Sequence, residues 1–242
     1  MLMLVALAGF QPGRSIAQPV ASAVSDGQSI GISPASSNGG DRGRELPSAP
    51  LHEVASGEVH YVADWVASTR DNQDLPYILV DKVNAMVFVF DAAGGLQAKS
   101  AALLGMVPGD GSADGVGRRA LSAIGPNDRT TPAGRFMASV GPDLKGKDIL
   151  WIDYDTALAL HRVAKGTPAE RRAQRLESLT PGDNRISYGC INVPVPFYET
   201  FIGPAFSQTG GVVYILPEMS SARELFKPDV PGTTLKAGRD GP

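Results

Sequence analysis

The chain has 242 residues, of which 43% are apolar, and a formal charge of −3. That balance excludes the basic footprint of a nucleic-acid binder and a polybasic membrane patch, and a single cysteine excludes an internal disulfide framework. Past an N-terminal tract poor in large side chains, the length suits one domain with a sizeable core.

Residues 1–23 read "MLMLVALAGFQPGRSIAQPVASA", an apolar run followed by small residues at signal-peptidase spacing. The run is too short for a bilayer, which takes about 20 apolar residues. It predicts a signal peptide, hence an exported, periplasmic protein. Residues 24–50 form a Ser/Gly/Pro tract with too few large apolar groups to offset its ordering entropy, and read as a flexible tether.

In the segment 51–76, Val59, Val62 and Val66 share one helical face, with Ser56 placed as N-cap and Glu58 in the first turn. A short helix packed on the domain is expected. The period then changes to that of strands, predicted at 77–81, 85–91, 96–104, 135–140, 149–154, 158–163 and 212–216. Many short strands with Gly/Pro punctuation predict a mainly β fold over 77–228, an antiparallel sandwich or barrel with a few short peripheral helices, then a tail from 229 to 242.

Two stretches interrupt the strands. The Gly- and Asp-rich connection 106–130 has a length usually reserved for functional or mobile loops. In "TPAERRAQRLESL", Thr167 and Glu170 form a capping box around Pro168, which predicts an exposed helix of about three turns. Its charged face, with Arg171, Arg172, Arg175 and Glu177, reads as solvated. A last helical segment is expected at "VPFYETFIG".

The metal readings fail on spacing. Asp110, Ser112, Asp114 and Gly115 match the first half of a calcium loop, but Leu121 stands where a bidentate Glu is required. His52, His60, His161 and Cys190 lack zinc-ligand spacing. No metal and no cofactor is expected.

Cys190, in "RISYGCINVP", is therefore the residue to explain. An unpaired thiol in an exported chain is either buried and inert or kept for its reactivity. A cysteine nucleophile needs an imidazole nearby, and His161 in "ALALHRV" is the well-placed candidate. Strand alternation puts His161 with Ala159 on one face, Leu158 and Leu160 on the other.

"RISYGCINV" resembles the signature of the L,D-transpeptidase catalytic domain family (YkuD-type), in which an upstream His precedes Ser/Thr-His-Gly-Cys, an apolar residue and Asn or Arg. Ser187, Gly189, Cys190, Ile191 and Asn192 match as they stand. "LALHRV", "TTPAGRF" and the hairpin "YILVDKVNAMVFVFD" are similar to three further segments in the same order, and Gly105 matches a strand-ending glycine. Two features depart from the pattern: Tyr188 replaces the second His, and 25 residues separate His161 from Ser187. An inserted surface helix accounts for that length.

The resemblance implies a peptidoglycan L,D-transpeptidase acting on stem peptides. Cys190 would be the nucleophile and His161 the base, its ring oriented by a backbone carbonyl near Arg162. Backbone N–H groups of Tyr188, Gly189 and Cys190 would receive the oxyanion, with Ser187, Asn192 and Arg185 beside the substrate, Arg185 facing a stem carboxylate. Two other readings stay open: a non-catalytic peptidoglycan-binding module, and a cysteine-dependent carboxypeptidase or hydrolase. The oligomeric state is not fixed by the sequence.

Overall fold

The computed structural model describes Leu51 and residues 55–227. The signal-peptide and tether readings, His52 and the tail at 229–242 lie outside the described residues. Among the described residues, no helix is long and apolar enough to cross a membrane.

Helix α1 (Gly57–Thr69) begins where the sequence places it: the Ser56 hydroxyl accepts from the Val59 N–H at 3.3 Å. It ends at Arg70, in the left-handed region with φ 54°. Val59, Val62 and Val66 on its inner face are fully buried. Glu58 does more than complement the helix dipole, because its carboxylate accepts the Ala222 N–H at the start of α5 (Ala222–Leu225).

Eight strands form one sheet: β1 (Tyr77–Asp81), β2 (Met86–Phe90), β3 (Leu96–Ala101), β5 (Gly134–Pro142), β6 (Asp148–Asp153), β7 (Leu158–Arg162), β9 (Ile191–Val193) and β10 (Gly211–Ile215), in the order β3-β2-β1-β10-β5-β6-β7-β9. Beyond β3, Leu103 exchanges two backbone hydrogen bonds with Asn192 of β9, at 2.8 and 2.9 Å, so the sheet's two edges meet and it nearly closes into a barrel. Two short strands, β4 (Leu104–Gly105) and β8 (Arg185–Ser187), pair beside that junction. The mainly β expectation holds, and the pairing is largely antiparallel; β1 with β10, β7 with β9 and β4 with β8 are parallel.

Alternation along the strands divides the apolar side chains into two cores. Ile78, Val80, Val213, Ala138, Leu150, Leu160 and Ile191 point inward. There they meet one helical segment made of α3 (Val195–Phe197), a π turn (Tyr198–Ile202) and α4 (Gly203–Phe206). On the other face Tyr77, Leu79, Phe88, Phe90, Val212 and Tyr214 are covered by α1 and α5. Strands β1 and β2 are buried on both faces, which is why they read as nearly continuous apolar runs.

Local chemistry shifts several predicted boundaries. Ala85 adopts φ 52° in the hairpin turn, where Asp81 accepts the Asn84 N–H at 3.1 Å, so β2 starts one residue later than expected. The three-turn helix predicted after Thr167 is broken. Its capping box holds only the short turn Pro168–Glu170, Arg171 turns the chain with φ 45°, and α2 (Arg172–Glu177) follows. Strands β8 and β9, three residues each around the cysteine, are too short to show a period in the sequence.

Phe88, 1% exposed beneath α1, anchors the outer core. Phe88→Ala is expected to destabilise the domain by about 3–5 kcal/mol, read as a lowered urea midpoint.

Candidate active site

The outer sheet face is covered by α1 only over its first half. Over the second half the registers place side chains in rows across the strands. Ser139, Trp151 and Ala159 are successive partners on β5, β6 and β7, and His161 is paired with Asn192 across β7 and β9. Alternation sets Cys190 on the same face as Asn192, beside Ala159 and one diagonal step from His161. The expected split of β7 is observed: Leu158 and Leu160 enter the inner core, while Ala159 and His161 line a cleft of about 380 Å³ together with Cys190.

The His161 ring is held by one backbone contact. Its Nδ1 lies 2.8 Å from the Arg162 carbonyl oxygen. A carbonyl only accepts, so Nδ1 carries the hydrogen and Nε2 keeps its lone pair. Burial lowers the imidazole pKa below 6.5; the Arg162 hydrogen bond works against this, Arg172 and Lys147 assist it, and Asp143 opposes it. The ring is therefore a neutral acceptor at neutral pH.

Cys190 is half-buried, with Sγ 3.5 Å from the Ala157 carbonyl oxygen. Although part of the residue opens to the cleft, desolvation of the sulfur pushes the thiol pKa up, against hydrogen bonding with the backbone of Ala159 and of Cys190 itself. The raised thiol and the lowered imidazole are thus two neutral groups lining one cleft.

The turn before Cys190 is held by several hydrogen bonds. The Ser187 hydroxyl donates to the Cys190 carbonyl at 2.6 Å and accepts the Gly189 N–H at 3.1 Å. That contact occupies the Gly189 N–H and leaves those of Tyr188 and Cys190 as the oxyanion donors suggested by the resemblance. Gly189 has φ 128°, and a Cβ there would stand 2.8 Å from the Thr130 carbonyl oxygen, so no other residue fits. Thr131, wholly buried, accepts from the Gly105 N–H at 2.8 Å and donates to the Gly189 carbonyl at 2.7 Å. Asn192 donates to the Cys190 carbonyl at 3.0 Å and accepts from Arg172 at 3.2 Å. Ser187 and Asn192 thus shape the turn from within.

Behind the turn lies an ionic network that the sequence did not disclose. The Lys82 ammonium, 0% exposed, donates to Asp110 at 2.8 Å and to the Thr131 carbonyl at 3.0 Å, and is 3.4 Å from Glu218. Arg185 pairs with Glu218 and donates to the Lys82 carbonyl at 2.8 Å. With its fork committed inward and its side chain 12% exposed, Arg185 braces β8 and does not face the cleft, unlike the position expected for a stem-carboxylate ligand. Burial would raise the Asp110 carboxyl, but Lys82 and the N–H groups of Glu218 and Met219 hold it below the ordinary value. The residue that suggested a calcium loop is the counter-ion of a lysine. Among the described residues, no cluster of three His, Cys, Asp or Glu side chains is placed to hold a metal ion.

Tyr188 lines a narrow cavity of about 20 Å³ on the other side of Cys190, room for one water. The Arg129 guanidinium lies 3.9 Å from its ring centroid and donates to the Ile124 carbonyl at 3.1 and 3.2 Å. Among the described residues, none bonds the Tyr188 hydroxyl. Arg172, read from the sequence as solvated, is 13% exposed and reaches the site through Asn192. His60 lies on α1, away from the cleft residues.

No protein-family profile matches the chain, and no curated protein matches it in sequence. Among solved structures, it is similar to the helical cell shape determining protein Pgp2 from Campylobacter jejuni, with 14% identity and a TM-score of 0.40 over 66% of this chain and 56% of that one. It is also similar to a lysine-to-alanine mutant of Pgp2, with 14% identity and a TM-score of 0.38 over 71% and 62%. The chain spans less than two thirds of the length of these structures.

The lowered His161 pKa has a sign in stability. Between the folded value and the unfolded 6.5, the unfolded chain binds more protons, so stability rises with pH and is lost as pH falls through that window. Urea midpoints from about pH 7.5 to about pH 5 are expected to fall less steeply in His161→Gln than in the wild type.

Proposed function

We propose that the chain is a peptidoglycan L,D-transpeptidase, an exported enzyme of cell-wall cross-linking. The observation that carries this reading is that Cys190 and a neutral His161 line one cleft on an open sheet face, the imidazole held through Nδ1 by the Arg162 carbonyl so that Nε2 keeps its lone pair. The resemblance of four ordered segments to that family supports the substrate class.

In this mechanism the Cys190 sulfur attacks the carbonyl carbon of the third residue of a tetrapeptide stem as Nε2 of His161 takes the thiol proton. The C–N bond to the terminal D-alanine breaks, and Nε2 returns the proton to the leaving amine. The thioester is then opened by an amine of a neighbouring stem, whose proton passes to His161 and on to the departing sulfur. Arg162 does more than offer its carbonyl: its guanidinium pairs with Asp148 and Glu199, which holds the end of β7 and therefore the ring in place. Water in place of the amine would make the same thioester chemistry a carboxypeptidase reaction.

Tyr188 is assigned a donor role toward the substrate or its oxyanion, supported by a hydroxyl without a partner among the described residues and a ring already fixed under Arg129. Incubation with a carbapenem, followed by mass measurement, is expected to give a covalent adduct that disappears in Cys190→Ala; no adduct and no thiol reactivity would favour a binding module. Muropeptide products then separate transfer from hydrolysis. Tyr188→Phe is expected to lower cross-linking turnover about tenfold, the worth of one hydrogen bond, and full activity in that variant would leave ring packing as its role.

A further inference from the structure

The open face carries an aromatic pair that the chemistry at Cys190 does not use. Trp151 on β6 and Tyr154 in the following turn stack with centroids 4.8 Å apart and planes inclined by 23°. The indole N–H donates to the Pro142 carbonyl at 3.2 Å, which fixes the ring. Gly141 gives the rings their room, because a Cβ there would stand 3.2 Å from Trp151 Cδ1 and 3.6 Å from the Tyr154 hydroxyl. Tyr154 is nonetheless 67% exposed. The other large exposed apolar side chains, such as Leu179 and Met219, stand singly and ask for no explanation. A stacked, anchored and exposed pair is a preorganised flat surface.

Its place in the cleft says what reaches it. Trp151 lines the same cleft as His161 and Cys190; it is the partner of Ala159 on β7, and the row continues to Cys190, the residue before β9. Two strand spacings are about 10 Å. The residue between is alanine, so nothing tall separates the nucleophile from the indole. An extended peptide covers about 10 Å in three residues. A stem attacked at its third residue and running along this row therefore brings the sugar that carries it onto the aromatic pair. The C–H face of a pyranose ring is the apolar complement of such a surface, and a surface already ordered loses little entropy on binding. Lys145 and Lys147, on the same rim, supply polar contacts beside it.

We propose that Trp151 and Tyr154 form a glycan subsite, which takes the N-acetylated hexosamine bearing the stem peptide. This rests on the function proposed above. The test is calorimetric binding to Cys190→Ala protein, which cannot turn over, of a free tetrapeptide and of the same peptide on its disaccharide. The disaccharide is expected to tighten binding about tenfold. That gain disappears in Trp151→Ala, falls in the exposed-site variant Tyr154→Ala and is largely kept in Trp151→Phe. Equal affinity for the two ligands, or a gain that survives both alanine variants, overturns the subsite. Should Trp151→Ala fail to fold, Tyr154→Ala carries the comparison. Carbapenem labelling of protein with Cys190 intact reports separately on the nucleophile. Labelling without a glycan gain removes the subsite alone, and a Trp151-dependent gain without labelling removes the transferase alone.

Discussion

The Lys82 ammonium, sealed inside the domain, is the constraint on which the site depends. A buried cation is tolerated only when acceptors surround it, and removing one partner of such a group costs several kcal/mol. Lys82 draws its acceptors from three parts of the chain: the loop at Gly109 and Asp110, Thr131 before β5, and Glu218 after β10. Two of these in turn hold something nearer the thiol. Thr131 grips the Gly189 carbonyl, and Glu218 anchors Arg185 at the head of the strand that leads into the Cys190 turn. Two cations and two carboxylates balance, so the network fixes geometry without adding net charge behind the thiol.

That balance leaves the electrostatics around Cys190 and His161 to local features. Among the described residues no lysine or arginine bonds the sulfur, and desolvation raises the thiol. A resting thiol resists oxidation and stray alkylation better than a resting thiolate. Burial keeps the His161 imidazole neutral while the Arg162 carbonyl holds its tautomer.

Much of this was legible in the sequence, and the rest was hidden for physical reasons. Short β-rich runs disclosed β1, β2, β6 and β7, continuous in the first two and alternating in β7, and Ser56 disclosed the start of α1, because those signals are local. Cys190 and His161 were singled out by chemical type and line one cleft, and the Arg162 carbonyl, singled out by family resemblance, does hold the His161 ring. Lys82 was not found. A lysine in "VDKVN" reads as a solvated turn residue, and only tertiary closure shows that its ammonium points into the domain. Arg172 was misread for the same reason, since a charged helix face looks solvated until the inserted segment folds back on Asn192. Trp151 and Tyr154 gave no signal, because their stacking depends on the absent side chain of Gly141, a position on the neighbouring strand.

The junction between Leu103 and Asn192 has a consequence for motion. One residue pair, with the short β4–β8 ladder beside it, joins the two ends of the sheet there, and one of its members sits two positions past Cys190. Everywhere else in the ring, longer ladders must break together. Local opening follows the least-bonded boundary, and this seam, on the strand that follows Cys190, is such a boundary. The polar clasp of Asn192, through Arg172 and the Cys190 carbonyl, is then a latch on that movement, which couples the fit of the inserted segment to the freedom of the thiol.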